Sequence, residues 1–224
     1  MKVKNWKEKA YVLEIVGLII NNGLIILAML FYAGGTTTNP NYPGYNFLGN
    51  TISDSGQLFA YSGRLNIISM IFLSSALIFI GIVSIPFYLA LRYLFVADRL
   101  QRQLSKIGTG LGIISSLALI GIAFTPSDLN IEGHMFFVYV RYSCVIFVGI
   151  FYSVAMYRSK TFPRKYLYVF TTYTVLFFFI SFLGLLGIVG SRPLMVLAQK
   201  IGWFATTITL MIISYGALKL EKSN

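Results

Sequence analysis

The stretch LNIISMIFLSSALIFIGIVSIPFYLAL, residues 65–91, decides the fold. It contains no Asp, Glu, Lys or Arg, and it exceeds the ~20 apolar residues that cross the hydrocarbon core of a bilayer. In lipid every backbone N–H and C=O must be satisfied within the segment, so such a run is a helix. Pro86 inside it predicts a kink or a tilt. Five further stretches read the same way, at about 11–33, 107–125, 135–157, 166–190 and 196–218. The first contains Glu14, Asn21 and Asn22 and is too long for a cleaved signal peptide, with no small-residue cleavage site after a short apolar core.

The whole chain agrees with this segment. It has 224 residues, 57% of them hydrophobic and 11% charged, and a mean hydropathy of +0.75. A soluble domain is nearer ~45–50% apolar and ~25% charged. The exterior of a soluble fold of this size needs far more charge, so a soluble enzyme and a disordered chain are both excluded. The expectation is an all-α polytopic membrane protein: one domain, residues 1–224, folded as a six-transmembrane-helix bundle with an outer loop at 34–64.

The basic residues set the expected orientation. Lys2, Lys4, Lys7 and Lys9 precede the first span; Arg92, Arg99, Arg102 and Lys106 follow the second. Arg158, Lys160, Arg164 and Lys165 follow the fourth, and Lys219 and Lys222 follow the sixth. Those are fourteen of the chain's 18 Lys and Arg, and the positive-inside rule puts both termini in the cytoplasm, which requires an even number of crossings. A multi-pass protein of the cell membrane is expected. The net charge of +11 is therefore topology, with some attraction to anionic lipids. No nucleic-acid partner is expected, because the basic residues are split among short segments without interleaved stacking aromatics.

Catalytic fingerprints are missing. One cysteine (Cys144) and one histidine (His134) exclude a disulfide framework and poly-histidine zinc chemistry. There is no P-loop, no G-x-S-x-G and no nucleotide fingerprint, so no cofactor is expected.

Polar chemistry gathers on the other face. The first outer loop reads GGTTTNPNYPGYNFLGNTISDSGQLFAYSGR over 34–64, rich in turn formers and interfacial aromatics. The second, PSDLNIEGH, covers 126–134, and the third is shorter still, around Ser191, Arg192 and Pro193. Asp54, Asp128, Glu132 and His134 all fall in these loops. Ser53-Asp54 before Gly56 is what a turn or a helix N-cap demands; in the functional reading Asp54 anchors a cation, a headgroup amine or a proton. His134 is either a water-satisfied interfacial residue or a proton acceptor beside Asp54 or Asp128. Asp54, Asp128 and His134 suit a metal only in ligand type, and no metal is expected.

Arg141 lies seven residues past His134, about 10 Å deeper on the same helix face, where a charge either snorkels or marks a site. Arg192 reads as a loop charge, and Glu14 as an acid at the inner interface. Gly108, Gly110, Gly112, Gly184, Gly187 and Gly190 read as close-packing positions of the third and fifth spans.

Asn50-Thr51-Ile52-Ser53-Asp54-Ser55-Gly56 resembles the N-x-I-S-D-x-G signature of bacterial and archaeal membrane proteins grouped as domain of unknown function 998. Pro126-Ser127-Asp128 with His134 resembles that family's second block, and Asn66 and Gln199-Lys200 are weaker matches. The pattern is also similar to the six-span Frag/DRAM/Sfk proteins, although Gln57-Leu58-Phe59 stands where eukaryotic relatives place prolines and a glutamate. The resemblance implies a six-span fold and singles out Asn50, Ser53, Asp54, Asp128 and His134.

These readings converge on a non-enzymatic, lipid-interacting protein with an outer polar pocket. Asn50, Ser53, Asp54, Asp128, His134 and Arg141 are its candidate ligand-binding residues, with Arg141 expected to take a phosphate. Membrane lipids are the expected partners, with a homo-oligomer or a partner membrane protein in addition. The alternatives are a membrane enzyme using His134 as general base on a lipid headgroup, or a small transporter.

Overall fold

The computed structural model describes residues 6–223. Lys2 and Lys4 of the basic tail lie outside the described residues. Among the described residues there are six long helices: α1 (Trp6–Leu30), α2 (Ile67–Leu91), α3 (Arg99–Ala123), α4 (Ile131–Arg158), α5 (Arg164–Gly190) and α6 (Arg192–Ser223). Each is long and apolar enough to cross a membrane. The shortest have 25 residues, about 37 Å at 1.5 Å per residue, against a core of ~30 Å. Pro86 lies within α2, which continues past it to Leu91.

Burial runs inside out relative to a soluble protein. Val16, Ile19, Ile20, Phe178, Phe179 and Phe182 point outward, while Glu14, Asn21, Ser69, Ser84, Ser115, Thr207 and Ser214 are buried. That arrangement suits a lipid solvent, which accepts apolar surface and leaves polar side chains to be satisfied within the bundle. Successive helices are neighbours, and α6 returns to α1, so the six form a closed ring with its sparsest seam between α4 and α5.

Three apolar clusters fill the ring, the smallest being Val145 of α4 with Tyr173 and Phe177 of α5. Tyr11, Phe87, Tyr152, Phe162, Tyr166 and Ile213 pack towards the end holding the termini. Leu18, Ile25, Leu73, Ile80 and Leu119 pack nearer the long loop. The glycines of α3 differ from the helix-on-helix reading: Gly108 and Gly112 seat the rings of Tyr152 and Tyr88, with a Cβ at Gly112 falling 2.5 Å from the Tyr88 ring. Gly187 does serve a backbone approach, since a Cβ there would lie 2.5 Å from the Met195 nitrogen. The tight α5–α6 turn depends on it.

Short-range polar bonds tie the end with the termini. Lys7 pairs with Glu221 at 2.9 Å and Arg158 with Asp98 at 3.0 Å. Asp98 also caps α3 by accepting the Gln101 N–H at 2.8 Å. The Gln101 amide first, and Arg158 second, hold the Asp98 carboxyl below its ordinary value. A depressed carboxyl stabilises the fold above its unfolded-state value, and that contribution disappears as pH falls through the folded value. Asp98→Asn should therefore flatten the acid limb of stability against pH, read as the melting temperature of detergent-solubilised protein. An acid limb unchanged from wild type would remove Asp98 from this role.

Candidate functional site

The I-S-D motif is a built structure. Thr51 and Asp54 cap each other around the 3₁₀ turn Ser53–Gly56: the Thr51 N–H donates to Asp54 Oδ2 at 2.7 Å, and the Asp54 N–H donates to Thr51 Oγ1 at 3.1 Å. This reciprocal pair is a capping box with a carboxylate in its fourth position. Asn50 supports it from below, donating to the Gly35 carbonyl at 3.1 Å and to Asp54 Oδ2 at 3.4 Å, and accepting the Asn46 N–H at 2.9 Å.

The sixth helix locks this turn in place. Gln199 accepts the Ile52 N–H at 2.6 Å and donates to Ser53 Oγ at 3.0 Å. Lys200, almost fully buried, donates to the Asn50 carbonyl under the rings of Tyr45 and Phe47. Arg192 opens α6 and donates to Asp54 Oδ2 at 2.5 Å and to the Tyr61 hydroxyl at 3.3 Å. Asp54 is thus a nearly buried carboxylate that meets a guanidinium and two N–H donors.

Burial pushes the Tyr61 hydroxyl up, with the Asp54 charge acting in the same direction, and burial lifts Tyr32 to about 12. Both phenols stay neutral as partners of the motif. Tyr32 accepts the Tyr61 N–H at 3.2 Å.

Asp128 and His134 perform separate tasks. Asp128 reaches the first loop and accepts the N–H groups of Leu58 at 3.2 Å and Phe59 at 2.9 Å. His134 Nδ1 lies 2.8 Å from the Thr125 carbonyl, which only accepts, so Nδ1 carries the proton and Nε2 is the free acceptor. Ser53 is held by Gln199 and Asp128 by the loop, so neither forms a relay with His134. No metal-ligand cluster occurs among the described residues.

Beneath the motif lies a cavity of about 560 Å³ between α4, α5 and the start of α6. One end is polar: Ser53, Asp54, Gln57, His134, Arg192 and Gln199. Its walls are apolar, formed by Met135, Val138 and Tyr139 of α4 and Ile180, Leu185 and Ile188 of α5. Two residues of the polar end keep buried polar atoms without a partner among the described residues, Arg192 Nε and Gln57 Oε1.

Of the six residues singled out in sequence, Ser53, Asp54 and His134 line this cavity, while Asn50 and Asp128 hold the loop above it. Arg141 does not share the cavity with Asp54. It lies deeper, stacked 5.6 Å from the Trp203 ring, where it borders two smaller cavities of about 50 and 40 Å³. The correction is physical. Two helical turns below His134 carry Arg141 past the polar end, and Arg192, whose backbone starts α6 at the motif's own level, reaches the carboxylate first. The only advance sign of Arg192 was that it is one of four basic residues outside the fourteen that flank the first, second, fourth and sixth spans. Gln199 and Lys200 were visible as weak motif matches, with nothing in sequence to say what they bind.

No protein-family model, no curated protein and no solved structure matches this chain.

Proposed function

We propose that the protein is a non-enzymatic lipid-binding membrane protein of the family that its N-x-I-S-D-x-G motif resembles, oriented with both termini in the cytoplasm. The observation that carries this reading is the amphipathic cavity: about 560 Å³, polar at the loop end and apolar along α4 and α5. That volume falls within the ~300–1,000 Å³ of ligand sites. It adjoins the sparsest seam of the helix ring, so an acyl chain entering between α4 and α5 would lie against Val138, Ile180 and Leu185.

The headgroup chemistry follows from the atoms left unspent. Arg192 Nε seeks an acceptor, such as a phosphate or ester oxygen; Gln57 Oε1 and His134 Nε2 seek donors, such as a hydroxyl or ammonium. Asp54 is already committed to Arg192, Thr51 and Asn50, so its role is to position the guanidinium.

Lipid extracted from protein purified in mild detergent tests the reading. Gly184 lines the cavity, and a Cβ there meets only the Ala198 methyl at 3.7 Å, so Gly184→Phe fills the space without a backbone clash. Wild type should retain a phospholipid that Gly184→Phe loses, while Arg192→Gln weakens retention with the melting temperature of Gly184→Phe unchanged. Equal lipid in wild type and Gly184→Phe would sink the proposal.

A further inference from the structure

A second polar system runs through the middle of the bundle. Glu14, on α1, is fully buried, contrary to its reading as an interfacial acid. It accepts a hydrogen bond from Ser84 of α2 at 3.1 Å, its Oε2 has no partner, and no salt bridge reaches it among the described residues. Two turns away, Asn21 is also fully buried with both its Oδ1 and Nδ2 unpartnered. Buried amides are nearly always satisfied, so this one calls for a small polar partner such as water.

The space for that water is present. Asn21 and Ser84 line a cavity of about 40 Å³ together with Ser115, Tyr88, Thr206 and Arg141. At roughly 10–15 Å³ each, this volume holds about three water molecules, each with several polar neighbours. The cavity shares Leu119, Arg141 and Trp203 with the 50 Å³ cavity above it, and that one shares Ser53, Tyr142 and Gln199 with the outer cavity. A file of adjacent cavities, each with some polar lining, therefore leads from the motif loop to the hydroxyl that holds Glu14.

We propose that Glu14 is a proton-exchange site inside the membrane, reached by water through this file from the face that carries the long loop. The step is simple: the Glu14 O–H breaks, its proton passes to a water beside Ser84, and the reverse step restores it. The titratable groups lining the two small cavities are Tyr88 of α2, Arg141 and Tyr142 of α4 and Tyr173 of α5, and those around the outer cavity are Asp54, Tyr61, His134, Tyr139 and Arg192, while α3 contributes only neutral side chains, including Ser115. Arg141 lines both small cavities, and its positive charge disfavours any cation there, a proton included, so exchange with Glu14 is expected to be slow. The inference is independent of whether the outer cavity holds a lipid.

Infrared spectroscopy of the full chain in lipid vesicles tests it. A buried carboxylic acid gives its own C=O band, expected to fade as the buffer goes from acidic to alkaline, to shift on transfer to heavy water, and to vanish in Glu14→Gln. Two further variants guard against misfolding of that one. Ser84→Ala keeps the carboxyl but removes its donor, so the band should remain and change frequency. Asn21→Leu nearly conserves volume while drying the file, so the band should remain and lose its isotope shift. A band indifferent to pH, or an isotope shift of unchanged rate in Asn21→Leu, would overturn the proposal.

Discussion

Asp54→Ala is expected to be among the most destabilising single substitutions in the protein, at about 3–5 kcal/mol. The carboxylate is nearly buried and holds three donors at once: Arg192, the Thr51 N–H and the Asn50 amide. Removing it leaves the guanidinium of Arg192 partly buried without its counter-charge, beside an amide hydrogen with no acceptor. Arg192→Ala should show a loss of the same order, because it strands the carboxylate. The double variant should lose less than the two singles together, with a coupling of about 0.5–3 kcal/mol, as expected for partners in one network. Arg141→Ala should cost less than either, since Arg141's one specific contact is the Trp203 ring, an interaction worth about 0.5–2 kcal/mol. Chemical denaturation of the detergent-solubilised variants measures all four. Additive losses, or an Arg141→Ala variant weaker than Asp54→Ala, would show that the network is not the clamp of the 34–64 loop.

Gly35→Ala should be comparably severe, by about 2–5 kcal/mol, for two reasons that reinforce each other. The backbone there has φ of +87°, a region that alanine enters only at a cost. A Cβ would also press on the Ser62 nitrogen and lie 2.5 Å from the Tyr61 carbonyl carbon, and backbone atoms cannot move aside as a side chain can. Gly35 also accepts the Asn50 amide and donates its N–H to the Tyr42 carbonyl at 2.8 Å, so displacing it loosens the support of Asp54. The variant should melt earlier and expose the 34–64 loop to protease. Gly23→Ala is the control: a Cβ there meets nothing within 4 Å, so the melting temperature should hold or rise slightly. Two variants with equal melting temperatures would mean that the loop does not depend on the Gly35 conformation.

Between the candidate sites, the amount that could be read in advance differs sharply. The motif 50–56 and the block 126–134 stand out by residue type, because turns, caps and buried hydrogen bonds all draw on Asn, Ser, Asp and Thr. That same reuse hides what each residue does. Asp128 and His134 look in sequence like partners of Asp54, yet one pins the loop backbone and the other bonds the Thr125 carbonyl. Arg141 drew attention through its depth, whereas Arg192, at the edge of a span, looked like an ordinary loop charge. Glu14 was visible as an acid in an apolar segment, and only its contact with Ser84, seventy residues away, shows that it faces the interior.

What the sequence by itself determined is the six-helix architecture. Apolar runs of bilayer length leave the backbone a single way to satisfy its hydrogen bonds, so existence, order and approximate bounds of the helices are local properties, readable one segment at a time. The tertiary structure alone decided which polar side chains meet. In a bundle whose outer surface tolerates only apolar residues, those partners are set by the rotation of each helix about its axis and by how α6 closes against α1 and the first loop. The nearly featureless hydrophobic periodicity of such helices does not record that rotation.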